Sequence, residues 1–131
     1  MGFASDNIQG ETMTDSSPTS ITAAQRAMCE QYSTSFVASP PDSKLGFALA
    51  TKGKLPINGL RHPVSDDTNG WYIWCGEDFS DDAALFAPFH ASHFYEQYPE
   101  IARVLGLPPG YRFLFAPNYL DVWFDESLLN V

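Results

Sequence analysis

The run Trp71-Tyr-Ile-Trp-Cys75 constrains this chain more than any other segment. Its residue types favour a pleated, packed surface, and the Asn69-Gly70 pair just ahead of it tolerates the positive φ of a turn. A central strand is predicted here. Alternation sends Trp71 and Ile73 to one face and Tyr72 and Trp74 to the other, so both faces carry large apolar groups. One face packs on helices. The opposite face is either covered by the N-terminal helix or left partly open, and an open Tyr-Trp surface rimmed by acids has the makeup of a protein interface.

Other segments supply the partners of this strand. Tyr111–Ala116 and Tyr119–Phe124 alternate around Pro117-Asn118, which predicts two antiparallel strands joined by a short loop. Leu45–Thr51 reads as a strand closed by a turn through Lys52-Gly53-Lys54. Between them, Leu55–Val64 holds two prolines and Asn58-Gly59, which mark loop or edge structure. Ile21, Ala24 and Met28 approximate a helical period, so a helix over 21–34 is expected, capped by Ser20 or Thr19. A short helix through Ala83, Leu85 and Phe86, capped by Ser80 or Asp81, is expected to end at Pro88. A second helical pattern runs from Phe89 to Leu105 and breaks at Pro99, with Gly106 as a left-handed cap. Helices and strands occur without regular alternation, which predicts an α+β fold: a small antiparallel sheet of about 4–5 strands packed against two or three helices. Residues 1–20 are rich in Ser, Thr, Asp and Gly and read as a flexible tail to a single domain over 21–131.

Charge excludes some functions. Sixteen acidic against seven basic residues give a formal charge of −9. Phosphate contacts come chiefly from Lys and Arg, so a general nucleic-acid binder is not expected. The balance is uneven: residues 43–61 carry Lys44, Lys52, Lys54 and Arg61 with no acid, whereas residues 62–131 carry two basic and eleven acidic groups. The expected partner is neutral or basic. No stretch approaches the ~20 apolar residues of a membrane span and no signal-peptide pattern opens the chain, so a cytoplasmic protein with Cys29 and Cys75 as reduced thiols is expected.

Three constellations deserve chemical scrutiny. His90, His93 and Glu96 recur every third residue, so a helix would present two imidazoles and a carboxylate to a metal, joined through folding by His62. The bland reading is an ordinary polar helix face, and the helical zinc spacing His-x-x-x-His is absent. Glu77, Asp78, Asp81 and Asp82 follow the aromatic strand within six residues. Their spacing does not match a calcium loop, which leaves solvated loop charge or an electrostatic docking surface for a basic partner. Cys75 with His62 or His90 as base is conceivable chemistry, but a small buried thiol is the commoner outcome. Phosphate-binding and dinucleotide fingerprints are absent, and no cofactor is expected.

The segments Asn58-Gly-Leu-Arg-His-Pro63, Asn69-Gly-Trp-Tyr-Ile-Trp-Cys-Gly-Glu-Asp78, Gly106-Leu-Pro-Pro-Gly-Tyr-Arg-Phe113 and Asp121-Val-Trp-Phe-Asp125 resemble the immunity protein 33 group of bacterial polymorphic toxin systems. The strongest parallel is Gly70, Trp71, Gly76, Glu77 and Asp78, with similarity over roughly residues 43–131. The resemblance implies a non-enzymatic antidote that binds and blocks a cognate toxin. On this reading Tyr72 and Trp74 are expected as aromatic anchors and Glu77, Asp78, Asp81 and Asp82 as steering groups at a protein partner. The rivals are a small metal-assisted hydrolase built on His62, His90 and His93, and a structural or regulatory module whose aromatics are all core.

Overall fold

The computed structural model describes residues 18–78 and 82–130. A helix α1 (Pro18–Gln31) is followed by strands β1 (Lys44–Phe47), β2 (Ile57–Arg61), β3 (Trp71–Cys75) and β4 (Ala87–His90). Two short helices, α2 (Ala91–Gln97) and α3 (Pro99–Ala102), lead through a 3-10 turn at Arg103–Gly106 into the hairpin of β5 (Tyr111–Ala116) and β6 (Tyr119–Phe124). The six strands form one sheet in the order β4-β1-β3-β2-β5-β6. All neighbours are antiparallel except β1 and β3, which run parallel with Phe47 opposite Ile73. The fold is α+β as predicted, with a larger sheet that is mixed rather than wholly antiparallel.

The aromatic strand β3 lies inside the sheet, flanked by β1 and β2. Trp71 and Ile73 are fully buried on the helical face with Phe47, Phe94, Val104 and Leu105. Phe47 meets the rings of Phe89, Phe94 and Tyr98 edge-on, with centroids 5.3, 5.6 and 5.9 Å away. Such pairs contribute about 0.5–1.5 kcal/mol each beyond their buried area. The helices are tied to this layer by buried hydrogen bonds: Gln25 Nε2 donates to the Ala102 carbonyl at 3.0 Å, and Trp71 Nε1 to the Leu105 carbonyl at 3.0 Å.

The opposite face of β3 is neither open nor covered by α1. Leu85 and Phe86 lie against Tyr72 and Trp74, and Leu128 joins Trp74, Leu60 and Ala48 in a second, smaller core. Helix α1 packs instead on the far side, against the 103–106 turn.

Several local expectations are corrected. Residues 57–61, expected as loop or edge, form a strand between β3 and β5, and Asn58-Gly59 lies within it. A Cβ on Gly59 would stand 2.1 Å from the Phe113 ring, so glycine here makes room for an aromatic neighbour and does not make a turn. Residues 87–90, expected to hold the stop of one helix at Pro88 and the opening of the next at Phe89, pair with β1 as an edge strand, and Pro88 sits opposite Gly46 where a missing amide is tolerated. The expected helix through Phe86 is a 3-10 turn over Ala83–Leu85, with the Ala84 amide donating to Asp82 Oδ1 at 3.0 Å; Ser80 and Asp81 lie outside the described residues. Gly106 is not a left-handed cap: its backbone passes where a Cβ would meet Gln25 and Phe36 at 2.8 and 2.9 Å. Strand β1 stops at Phe47, because residues 49–51 turn and Thr51 Oγ1 donates to the Ala48 carbonyl at 2.6 Å. Helix α1 begins at Pro18, ahead of the expected start at Ile21, so Thr19 and Ser20 fall in its first turn and not at its cap. The break at Pro99 is as predicted, with α3 opening on that proline.

Candidate functional site

The acidic segment is positioned by the end of β3. Cys75 pairs with Ile57, and the next amide, that of Gly76, donates to the Pro56 carbonyl at 2.7 Å. Asn58 Nδ2 reaches across to the Gly76 carbonyl at 2.8 Å. These bonds anchor the point where the chain leaves the sheet, and Glu77 and Asp78 follow directly into solvent. Asp82 is exposed at the other end of the segment, while Asp81 lies outside the described residues. Glu77 and Asp78 therefore leave the sheet at the same end as the Pro117-Asn118 turn of the β5–β6 hairpin, since Cys75, Ile57, Phe115 and Leu120 are successive cross-strand neighbours.

The two expected aromatic anchors divide. Tyr72 is half-buried, its ring edge-on to Phe86 at 5.6 Å and to His62 at 5.5 Å. Trp74 is corrected from surface anchor to core residue: it is 4% exposed, enclosed by Ala48, Leu60 and Leu128 with Phe86 edge-on at 6.4 Å. A ring of that size on the second face could not stay in water once the 82–86 segment and the C-terminal turn closed over it.

The histidines do not assemble as the hydrolase alternative requires. His90 and His93 lie ring to ring with centroids 5.7 Å apart, and Glu96 is exposed one turn further along α2. His62 is elsewhere, its Nδ1 3.0 Å from the Leu128 carbonyl, where it ties the C-terminal turn over the second face. Among the described residues no group of three or more His, Cys, Asp or Glu side chains is arranged to hold a metal ion. Cys75 and His62 occupy opposite ends of the β2–β3 ladder, about 17 Å apart along the strands. Burial pushes both thiols up from their ordinary acidity, the opposite of what activates a nucleophile.

Arg61 is the buried cation of the molecule's helical face. It is fully enclosed, yet it pairs with no carboxylate among the described residues; instead Nε donates to the Asn69 carbonyl at 2.9 Å, Nη1 to Val37 and Leu107 at 2.8 and 2.7 Å, and Nη2 to Ala38 at 3.0 Å. Burial lowers its pKa to about 10, so it stays charged at neutral pH. Its four acceptors are backbone carbonyls from three chain segments, which makes it a clasp for the fold, with four of its five N–H groups spent on the main chain.

The surface features that sequence reasoning missed are on β6. Tyr119 and Phe124 are more than half exposed and Trp123 is 37% exposed, three of the few large apolar side chains left in water. Arg112 lies beneath Trp123 at 5.4 Å from the ring and bridges to Asp125 at 3.3 Å. The available signal was the placement of Asp121 between Tyr119 and Trp123 on one face of an alternating strand, which marks that face as wet.

Fold and surface thus define a small α+β domain that displays acidic and aromatic side chains around one end and one edge of its sheet. The sequence pattern of the Imm33-like domain matches residues 24–125, and the chain belongs to that family. The match bears out the resemblance to the immunity protein 33 group, and membership of an immunity-protein family implies a protein partner. Neither a search of curated proteins nor one of solved structures returns a match. No helix among the described residues is long and apolar enough to cross a membrane.

Proposed function

We infer that this protein is an immunity protein: a non-enzymatic, stoichiometric inhibitor that binds and neutralises a basic toxin domain encoded beside it. Its Imm33-like family membership carries the reading. The exposed Glu77, Asp78 and Asp82 support it, because acids held at a rigid sheet end raise the encounter rate with a cationic partner and repel anionic competitors. Asp81 belongs to the same run of sequence, and Tyr72, half-buried against Phe86 on the second face of β3, is the aromatic contact this reading adds. Trp74 acts from beneath, filling the small core on which this surface rests.

The test uses the product of the adjacent reading frame as probe. A one-to-one complex that abolishes the toxic activity of that product is expected. Charge reversal of Glu77 and Asp78 to Lys is expected to slow association by about tenfold at low salt and to flatten its salt dependence. No complex with the neighbouring product would refute the reading; a complex indifferent to both reversals would remove the acidic segment from the interface.

A further inference from the structure

Strand β6 ends the sheet, and its outer edge is uncovered by any described residue. The direction of its backbone groups follows from one bond. The Asp125 amide donates to the Gly110 carbonyl at 2.6 Å, continuing the register that places Phe124 opposite Tyr111. Hydrogen-bonded positions alternate along an antiparallel strand, so Asp125, Trp123, Asp121 and Tyr119 face β5 with their amides and carbonyls. Leu120, Val122 and Phe124 therefore turn theirs outward, a row of three unpaired donors and acceptors on a six-residue strand.

The side chains along this edge are not those of a strand guarded against pairing. No lysine or proline interrupts residues 119–124, and Tyr119, Trp123 and Phe124 remain exposed. Beside the hairpin turn, a groove of about 430 Å³ opens between Leu120, Phe115 and Tyr119 on one side and Glu100 and Arg103 on the other. Charge narrows the choice of occupant. Asp121 is exposed in the middle of the strand and Glu126 just past its end, and Arg112, the cation under this surface, is already paired with Asp125. A second copy of the chain would bring a further net charge of −9 to this edge.

We propose that the outer edge of β6 accepts an extended, cationic strand of the toxin, which continues the sheet by backbone pairing with Leu120, Val122 and Phe124. This rests on the immunity reading above and assigns the anchoring contact. The edge lies three strand spacings from β3, about 14 Å from the acidic segment, so one partner spans both. Main-chain bonds supply affinity, while a cation opposite Asp121 and an apolar side chain in the groove beside Leu120 supply selectivity.

The experiment measures binding of the adjacent reading frame's product to the full chain and to two variants. Val122→Pro deletes one outward amide at a position where proline leaves the β5 ladder intact, and Asp121→Arg reverses the edge charge. Loss of at least about tenfold in affinity is expected for Val122→Pro, and slower association by about fivefold for Asp121→Arg. Without any substitution, hydrogen exchange at the Leu120, Val122 and Phe124 amides is expected to slow in the complex. Tight binding with unchanged exchange at these amides, or with full affinity in Val122→Pro, overturns the edge assignment and leaves the immunity reading standing. Absence of binding by the unaltered chain removes the immunity reading, and this inference with it. A free-chain dimer dissociated by Val122→Pro would overturn the assignment in favour of a second copy.

Discussion

Arg61 and Trp71 stand directly opposite one another on adjacent strands, and the guanidinium carbon lies 5.6 Å from the indole centroid. A cation and the bulkiest core ring thus share one cross-strand pair, both fully buried. The arrangement holds because four of the five guanidinium N–H groups end on a carbonyl: Asn69 ahead of β3, Val37 and Ala38 after α1, Leu107 before β5. A charge is costly to bury, and these four hydrogen bonds with the ring face above offset that cost.

Replacing Arg61 removes the clasp from three segments at once. Arg61→Ala is expected to destabilise the protein by about 3–5 kcal/mol, since it leaves a cavity and several buried carbonyls without donors. Arg61→Lys, a point donor without the planar fork, is expected to recover only part of that loss. Urea unfolding followed by tryptophan fluorescence measures both; a lysine variant as stable as the original would show that fork geometry is irrelevant.

Gly59 tests the claim that the central strand is shaped around Phe113. A methyl group there would stand 2.1 Å from the ring, and the ring is 1% exposed with little room to retreat. Gly59→Ala is expected to cost about 1–3 kcal/mol. The double variant Gly59→Ala with Phe113→Leu is expected to lose less than the sum of the single changes, because the second substitution makes space for the first. Strict additivity in denaturation midpoints would place the strain elsewhere.

Asp125 links the C-terminal turn to pH. Its Oδ1 accepts from the Ser127 hydroxyl at 2.6 Å and the Ser127 amide at 3.1 Å, and its Oδ2 accepts from Arg112 at 3.3 Å. The Ser127 hydroxyl bond, above all, holds the carboxyl below its ordinary value of 3.8. A carboxylate more acidic in the folded than in the unfolded chain stabilises the fold above pH 3.8, and the contribution is lost as pH falls through the folded value. Carboxyl-carbon NMR is expected to give a midpoint below 3.8, moving upward in Ser127→Ala; an unmoved midpoint would assign the shift to the Ser127 amide and Arg112 instead.

Local chemistry by itself determined the hairpin, the break and the alternation. Pro117 sets its own φ and Asn118 accepts a φ of 63°, so β5 and β6 turn on those two residues whatever surrounds them. Pro99 cannot donate its amide, so the helical pattern splits there into α2 and α3. Period two placed Trp71 and Ile73 on one face of β3 and Tyr72 and Trp74 on the other. The acidic run after β3 and the family resemblance were likewise legible, because both lie in contiguous residues. The tertiary structure alone decided which segments stand beside which. Asn58-Gly59 carries the local signal of a turn, and it became the middle of a strand because ladders on both sides and the ring of Phe113, far along the chain, outweigh that signal. Pro88 reads as a helix stop and instead lies on the sheet edge, since β1 supplies a partner that local residues do not announce. Trp74 looked like an anchor for another protein, but the nearby 82–86 segment and Leu128 from the far end of the chain close over it, while Trp123 at the last strand has no such cover. Periodicity fixes the face to which a side chain points; whether that face meets water, core or a partner depends on long-range closure, and that is settled only by the whole chain packing together.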